Sequence, residues 1–354
     1  MASITQSTSS TSEPTLLTGR FAPSPTGRMH AGNIYAALIA WIVAKRTGGE
    51  VVLRIEDLDP DRSKPEYIDQ IMRDFEYLGL TWDRGPYYQS TRTDVYAEAF
   101  DDLQKRGLTY PCFCTRADLH TVSAPHRGEK TVYPGTCRNL TANQRAQAQM
   151  QAQKQGRAPS QRLMVPAEDV SAGTIQLTDA FQGHYTQNLA RDCGDFLIRR
   201  SDGAFAYQLA VVLDDAEQGV TSVVRGVDLL CSTPQQIYLQ NLLNLPHPEY
   251  GHVPLLVAKA GGSDQSARRL SKRDKDAGLD QLKQRYKTPE GILGHIAYVA
   301  GMVSPEAVNA SLEDGIVPHA PSGASATLQC SVQDLLETAD LAVLCKKIQI
   351  PWQN

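Results

Sequence analysis

The sequence predicts an α/β protein built on a parallel sheet, and three observations carry that prediction. Residues 18–22 read as a strand, residues 34–46 as a helix and residues 51–55 as a second strand. A βαβ unit of that kind closes as a right-handed crossover in a parallel sheet. The strand-and-helix rhythm stops near residue 110 and resumes at Phe196. The third is size: 354 residues with 41% hydrophobic content can bury a sizeable core as one large domain or two ordinary ones.

In chain order, the first strand runs into a Pro/Gly loop at residues 23–27. Ile34, Ala37, Leu38, Trp41 and Ile42 then fall at i, i+3, i+4, i+7 and i+8, one face of a helix. Lys45 and Arg46 occupy its last turn, and Gly48-Gly49 end it. Residues 51–55 form an apolar strand. Ser63-Lys64-Pro65-Glu66 reads as a capping box. It opens a helix with Ile68, Ile71, Met72, Phe75 and Leu78 on one face, closed by Gly79. Ser90 or Thr91 is the expected cap of another helix, ending near Gly107.

The segment 110–192 reads as an insertion between two halves of a sheet domain, with clustered cysteines and an exposed Ala/Gln-rich helix at 142–155. The α/β pattern returns at Phe196 and runs through Tyr207 to Leu213. A strand at 220–225, a helix capped by Thr233 and ending at Leu243, and a strand at 253–257 follow. Residues 258–267 have loop composition. From Pro289 the pattern is helical, and it loosens around 318–325. The expected divisions are a disordered tail (1–17), a first sheet half (18–109), the insertion (110–192), a second half (193–257), a basic loop with a helical stem (258–300) and a short C-terminal extension (301–354).

Composition excludes several classes. The longest apolar run, residues 34–44, has eleven residues, against about 20 for a membrane span. The Ser/Thr-rich residues 1–13 lack the basic start and apolar stretch of a secretory signal. Seven scattered cysteines in such a chain point to a reducing cytoplasm. A net charge of −4, from 35 basic and 39 acidic residues, argues against bulk nucleic-acid binding unless the basic residues are local. Arg268, Arg269, Lys272, Arg273 and Lys275 are such a local cluster.

Two motifs carry chemistry. At the first strand-to-helix junction, Gly27 and Gly32 permit close backbone approach to a ligand. There His30 and Asn33 are expected to offer neutral donors to a phosphate whose charge develops during reaction. Past the strand at 253–257, Arg268-Arg269-Leu270-Ser271-Lys272-Arg273 can close over a polyphosphate. Taken singly, the first would pass for a tight turn and the second for a solvated basic run.

Together they resemble the class I aminoacyl-tRNA synthetases. His30-Ala31-Gly32-Asn33 is similar to the HIGH motif and Arg269-Leu270-Ser271-Lys272-Arg273 to the KMSKS loop. Residues 20–27 (RFAPSPTG), 54–59 (RIEDLD) and 210–215 (AVVLDD) resemble the glutamyl-type enzymes, and the likeness extends over residues 19–300. Residues 205–210 and 224–230, with the Cys-x-Cys region, favour their short paralogues that lack an anticodon-binding domain. The resemblance implies a Rossmann-type parallel-sheet catalytic domain with a zinc-bearing insertion and a short helical C-terminal region. It implies tRNA-independent activation of L-glutamate by ATP with Mg²⁺, then transfer of glutamate to the queuosine base in the anticodon of tRNA(Asp). A monomer that does not engage membranes is expected. Ala31 replaces a larger aliphatic residue of the motif, and Arg269 replaces its first Lys with another cation.

By the same resemblance, Arg20, Phe21, Ala22, Pro23, Ser24, Glu56, Tyr207 and Arg225 form the glutamate site. Arg20 and Arg225 would supply guanidinium groups, Glu56 would take the ammonium, and Ser24 and Tyr207 would add hydroxyls. His30, Gly32, Asn33, Arg269, Leu270, Ser271, Lys272 and Arg273 would bind ATP, with His30 and Lys272 catalytic. Cys112, Cys114 and Cys137 lie within 26 residues, and a structural zinc takes four ligands. Spacing leaves the fourth ligand open among Tyr133, His120 and His126; the resemblance selects Tyr133.

Two other readings compete. An ordinary glutamyl-tRNA synthetase would charge the 3′ end, but only 68 residues follow Tyr286, few for a large helical anticodon-binding region. A catalytically silent paralogue would not need His30, Glu56, Tyr207, Arg225 and Lys272 together.

Overall fold

In the computed structural model, Thr18–Phe21 (β1) and Glu50–Ile55 (β2) pair in parallel, Thr18 opposite Glu50 and Phe21 opposite Leu53. Ala31–Arg46 (α1) makes the crossover, as the sequence predicts. The structure describes residues 16–115, 117–118, 132–258, 268–270, 277–304 and 329–352. Residues 1–15 of the expected tail, the loop at 258–267 beyond Ala258 and the loosening at 318–325 lie outside them, while Leu17, placed in the tail, is instead tied into the fold through Thr47 Oγ1 and the Glu50 N–H.

Pro65–Tyr77 (α2) begins at its proline as expected, but Ser63 is not its cap. The Lys64 N–H donates to Pro25 O and the Ser63 N–H to Asp59 O, so loop contacts set the chain's entry and Lys64 takes the N-cap position. Arg84–Tyr88 (β3), which no periodicity announced, pairs in parallel with β2. Thr93–Lys105 (α3) starts later than expected, because Gln89–Thr91 forms a 3₁₀ turn. The Ser90 hydroxyl donates to Asp57 and that of Thr91 to Tyr88 O, so neither caps the helix.

The next segment carries an antiparallel sheet and a separate hairpin. Thr109–Cys112 (β4), Ser160–Leu163 (β5) and a later strand form an antiparallel sheet, and Ala142–Lys154 (α4) is the predicted exposed helix, capped by Thr141. Thr174–Asp179 (β6) and Gly183–Asn188 (β7) form a hairpin, followed by the single turn Leu189–Asp192 (α5). Phe196–Arg199 (β8) is that later strand: it pairs with β5 and is not a member of the parallel sheet.

Tyr207–Glu217 (α6) leads into Ser222–Gly226 (β9) and Thr233–Leu243 (α7). Thr233 is the first residue of α7 rather than its cap, with Ser232 in the cap position. The expected strand at 253–257 is two strands, Glu249–Val253 (β10) and Leu255–Ala258 (β11), because Pro254 between them has no N–H to continue a ladder. Strand β10 runs parallel to β9, while Arg268–Arg269 (β12) returns antiparallel to β11. Leu279–Tyr286 (α8) and Pro289–Ala300 (α9) form the expected helical region. Val332–Thr338 (α10) and Gln349–Pro351 (β13) complete the described chain, with β13 parallel to β11.

Strand β9 lies beside β1: the Thr221 N–H donates to Thr18 O at 2.9 Å and Arg20 Nη1 to Val224 O at 3.1 Å. The sheets β3-β2-β1 and β9-β10 therefore lie edge to edge, with β1 next to β9. The order reverses between β1 and β9, and such sheets bind ligands in the crevice at the carboxyl ends of the strands there. Helix α1 is buried on more than the one predicted face, with Ile34, Tyr35, Leu38, Ile39 and Ile42 all essentially inaccessible. The extra cover comes from the C-terminal segment, whose Leu335, Ala339, Leu344, Ile350 and Trp352 join the same core. Among the described residues, no helix is long and apolar enough to cross a membrane.

Candidate active site

The crevice is a cavity of about 730 Å³. Arg20, Phe21, Ala22, Pro23 and Ser24 line it from the end of β1, Glu56 from the end of β2, Tyr207 from the start of α6 and Arg225 from β9. His30, Gly32 and Asn33 line it at the start of α1, and Leu270 just past β12. The sheet topology thus brings together every predicted glutamate-site residue. Ser271, Lys272 and Arg273 lie outside the described residues, and of Arg269 only the backbone pairing with Val257 is described.

The floor of the site is a network of buried charges. Arg54, fully buried, donates from Nη1 to Asp215 (2.7 Å) and Gln218 (3.0 Å) and from Nη2 to Glu56 (3.4 Å). Burial pulls the Arg54 guanidinium down, but Asp215, Glu56 and Asp214 more than offset it and hold it above its ordinary value. Arg20 Nε stands 3.6 Å from Asp215, and burial holds its guanidinium below the usual range. Burial also lifts the Glu56 carboxyl above its ordinary value, against the pull of Arg54 and Arg20. A carboxylate made costly in this way gains from an incoming ammonium. Asp214 beneath them accepts from Gln89, Arg92 and Tyr96, so the AVVLDD segment is structural support for the site.

Arg225 is held on several sides. Its Nη1 donates to Tyr207 Oη (3.1 Å), its Nη2 to Thr233 Oγ1 (2.9 Å) and Gln236 Oε1 (2.7 Å), and its Nε to His252 Nε2 (3.0 Å). His252 Nδ1 in turn meets Asp179 Oδ2 at 2.5 Å. Sequence reasoning missed Asp179, Thr233, Gln236 and His252 as site residues. The pairing of β10 with β9 sets His252 directly opposite Arg225, a signal that a strand beginning at Val253 does not contain.

At the helix start, His30 and Asn33 cap the helix through their acceptor atoms, so the expected donors, His30 Nε2–H of a neutral ring and the Asn33 amide NH2, are not the atoms the cap uses. His30 Nδ1 accepts the Gly32 N–H (3.1 Å) and Asn33 Oδ1 accepts the His30 N–H (3.2 Å), a reciprocal capping box. The Gly32 N–H is thereby engaged, and a neutral His30 carries its proton on Nε2.

Away from the crevice, the Sγ atoms of Cys112, Cys114 and Cys137 lie within 4.8 Å of one another, with Cys114 and Cys137 at 3.6 Å. Tyr133 Oη is 3.4 Å from Cys112 Sγ and 3.8 Å from Cys114 Sγ. Zinc–thiolate bonds of about 2.3 Å place tetrahedral sulfurs about 3.8 Å apart, so this donor set fits one zinc. Hydrogen bonding to Cys137, Tyr133 and Arg162 brings the Cys112 thiol down to about 4. His120 and His126, the rival ligands, lie outside the described residues.

Residues 16–313 match the family model for the class I (E and Q) tRNA synthetase catalytic domain. A glutamyl-Q tRNA(Asp) synthetase from Nitratidesulfovibrio vulgaris is 42% identical over 345 residues, 94% of this chain and 99% of its own. The chain belongs to the glutamyl-Q tRNA(Asp) synthetase family of class I tRNA synthetases. Another member, from Thiobacillus denitrificans, is 47% identical over 76% of this chain and 84% of its own. Among solved structures, a glutamate tRNA ligase from Elizabethkingia meningosepticum, in complex with its amino acid, superposes with a TM-score of 0.70 at 25% identity. That match covers 95% of this chain and 67% of the ligase. Family membership fits the crevice, where Arg20, Arg225 and Glu56 share one cavity whose lining also includes Arg28, Arg62, Arg200 and Asp59.

Proposed function

We propose that the protein activates L-glutamate with ATP, without tRNA, and transfers the glutamyl group to the queuosine base in the anticodon of tRNA(Asp). The observation that carries this reading is the charge pattern of the crevice. Arg20 and Arg225 suit the γ-carboxylate, and Glu56, lifted by burial, suits the α-ammonium. Tyr207 and Ser24 add hydroxyl contacts. Glutamine would leave a buried arginine under-satisfied, a penalty of about 1–3 kcal/mol.

In the first step the α-carboxylate attacks the α-phosphate of ATP in line, and pyrophosphate leaves. The nucleophile is already ionised, so positioning and charge stabilisation do the catalysis. His30 and Lys272 are assigned that stabilisation, with Gly32, Asn33, Arg269, Leu270, Ser271 and Arg273 shaping the ATP side. Mg²⁺ would accompany ATP and neutralise phosphate charge, with its ligands supplied mainly by the phosphates and water. In the second step a cyclopentenediol hydroxyl of queuosine attacks the activated carbonyl, AMP leaves, and the hydroxyl proton passes to the AMP phosphate or to water.

We assign Cys112, Cys114, Tyr133 and Cys137 to one structural zinc that secures the 110–192 segment as an insertion beside the tRNA-binding face. The remaining divisions keep 18–109 and 193–257 as the catalytic halves, 258–300 as loop and stem, and 301–354 as an extension. We read the protein as a monomer of the cytoplasm; all seven cysteines are free thiols, which suits a reducing compartment. Glutamate-dependent ATP–pyrophosphate exchange without tRNA tests the first step. Robust exchange is expected, and exchange that requires tRNA would overturn the reading.

A further inference from the structure

We infer that Asp179 and His252 form a positioning pair that aims Arg225 at the glutamate side chain. This rests on the reading of Arg225 as a glutamate-binding residue. Asp179 closes β6, in a hairpin remote in sequence from the catalytic strands, yet its carboxylate is fully buried behind the crevice. Its Oδ1 accepts the backbone N–H groups of Phe181 (3.0 Å), Gln182 (2.9 Å) and His252 (3.0 Å), which fixes the carboxylate's orientation. The other oxygen, Oδ2, faces His252 Nδ1 at 2.5 Å.

Arg225 Nε can only donate, so His252 Nε2 must accept, and the ring proton sits on Nδ1, toward Asp179. Burial and the Arg225 charge hold His252 below its ordinary value, despite Asp179, which keeps Nε2 available as the acceptor. Thr233 and Gln236 take Nη2, Tyr207 takes one Nη1 proton and His252 takes Nε. The second Nη1 proton is left for the cavity, and its direction depends on how the other four are held.

Asp179→Asn is the isosteric test. Three backbone N–H groups require the amide oxygen at the Oδ1 position, so the amide nitrogen would face His252 Nδ1 as a donor. The imidazole would then carry its proton on Nε2, against Arg225 Nε–H. We expect the KM for glutamate in ATP–pyrophosphate exchange to rise about tenfold or more, and the KM for ATP to stay within about twofold. His252→Phe should do the same, and His252→Gln, whose amide oxygen can accept from Nε, should recover most of the affinity. A glutamate KM within about twofold of wild type for Asp179→Asn, or parallel rises for glutamate and ATP, would overturn the inference. Arg225→Lys in the same assay separates the two levels. If it leaves the glutamate KM unmoved, the Arg225 reading fails; if it raises that KM while Asp179→Asn does not, only the positioning pair fails. Should Asp179→Asn not fold, ¹⁵N shifts of His252 in the wild-type protein decide: a proton on Nδ1 supports the pair, and one on Nε2 refutes it.

Discussion

Arg225 and Glu56 show how the site is built residue by residue. Arg225→Ala removes a guanidinium that Tyr207, Thr233, Gln236 and His252 hold in place. It should raise the KM for glutamate by about tenfold or more while changing that for ATP much less, as measured by exchange kinetics. Equal effects would remove Arg225 from the glutamate site. Glu56 is raised by burial above its ordinary 4.5. Its folded form therefore binds a proton more tightly than the unfolded chain does. That contribution to stability is present in full below pH 4.5 and is lost as pH rises through the folded value. Glu56→Gln should accordingly lose glutamate activation and yet melt about 1–3 °C higher at pH 7, with the gap closing toward pH 4. Motif resemblance pointed to Arg20, Arg225 and Glu56, and the structure places all three on one cavity. It did not point to His252 and Asp179, because their roles arise from strand register and a distant hairpin, and neither leaves a local pattern.

Secondary-structure elements were read best where one local rule decided them. Helix α1, the exposed helix α4 and the first crossover followed from periodicity, caps and glycine stops. The caps at Ser90 and Thr233 failed because Asp57 and Arg225 claim their hydroxyls, whereas at Ser63 a local turn onto Asp59 and the Lys64–Pro25 bond move the cap position one residue on. Two elements carry predictions. Gly194 has φ +68°, and a Cβ there would lie 2.4 Å from Tyr133 O. Gly194→Ala should displace Tyr133 and lower both zinc content and Tm, measured by metal analysis and thermal melting; unchanged zinc would separate Tyr133 from the metal. Arg46, in the last turn of α1, donates to Leu336 O (2.8 Å) and Ala339 O (2.5 Å) at the end of α10. Arg46→Ala should cost about 1–3 kcal/mol in chemical denaturation, with exchange activity retained under native conditions.

At the scale of the whole molecule, the α/β class and the placement of the site at the strand ends were both readable from sequence. What the C-terminal segment does was not. Leu335, Leu344, Ile350 and Trp352 are too dispersed for a periodic signal, yet they cover α1 and help close the main core. Zinc should be present at about one per chain after dialysis, since a structural site needs all four ligands on one ion; a clearly substoichiometric content would contradict the assignment of Cys112, Cys114, Tyr133 and Cys137. The net charge of −4 does not oppose an RNA substrate when cations gather at residues 268–275. The most direct test of the central claim is transfer of labelled glutamate to tRNA(Asp) with and without queuosine, with tRNA(Glu) alongside. The account predicts label on queuosine-bearing tRNA(Asp) alone. Label at the 3′ end of tRNA(Glu), with none on tRNA(Asp), would contradict it.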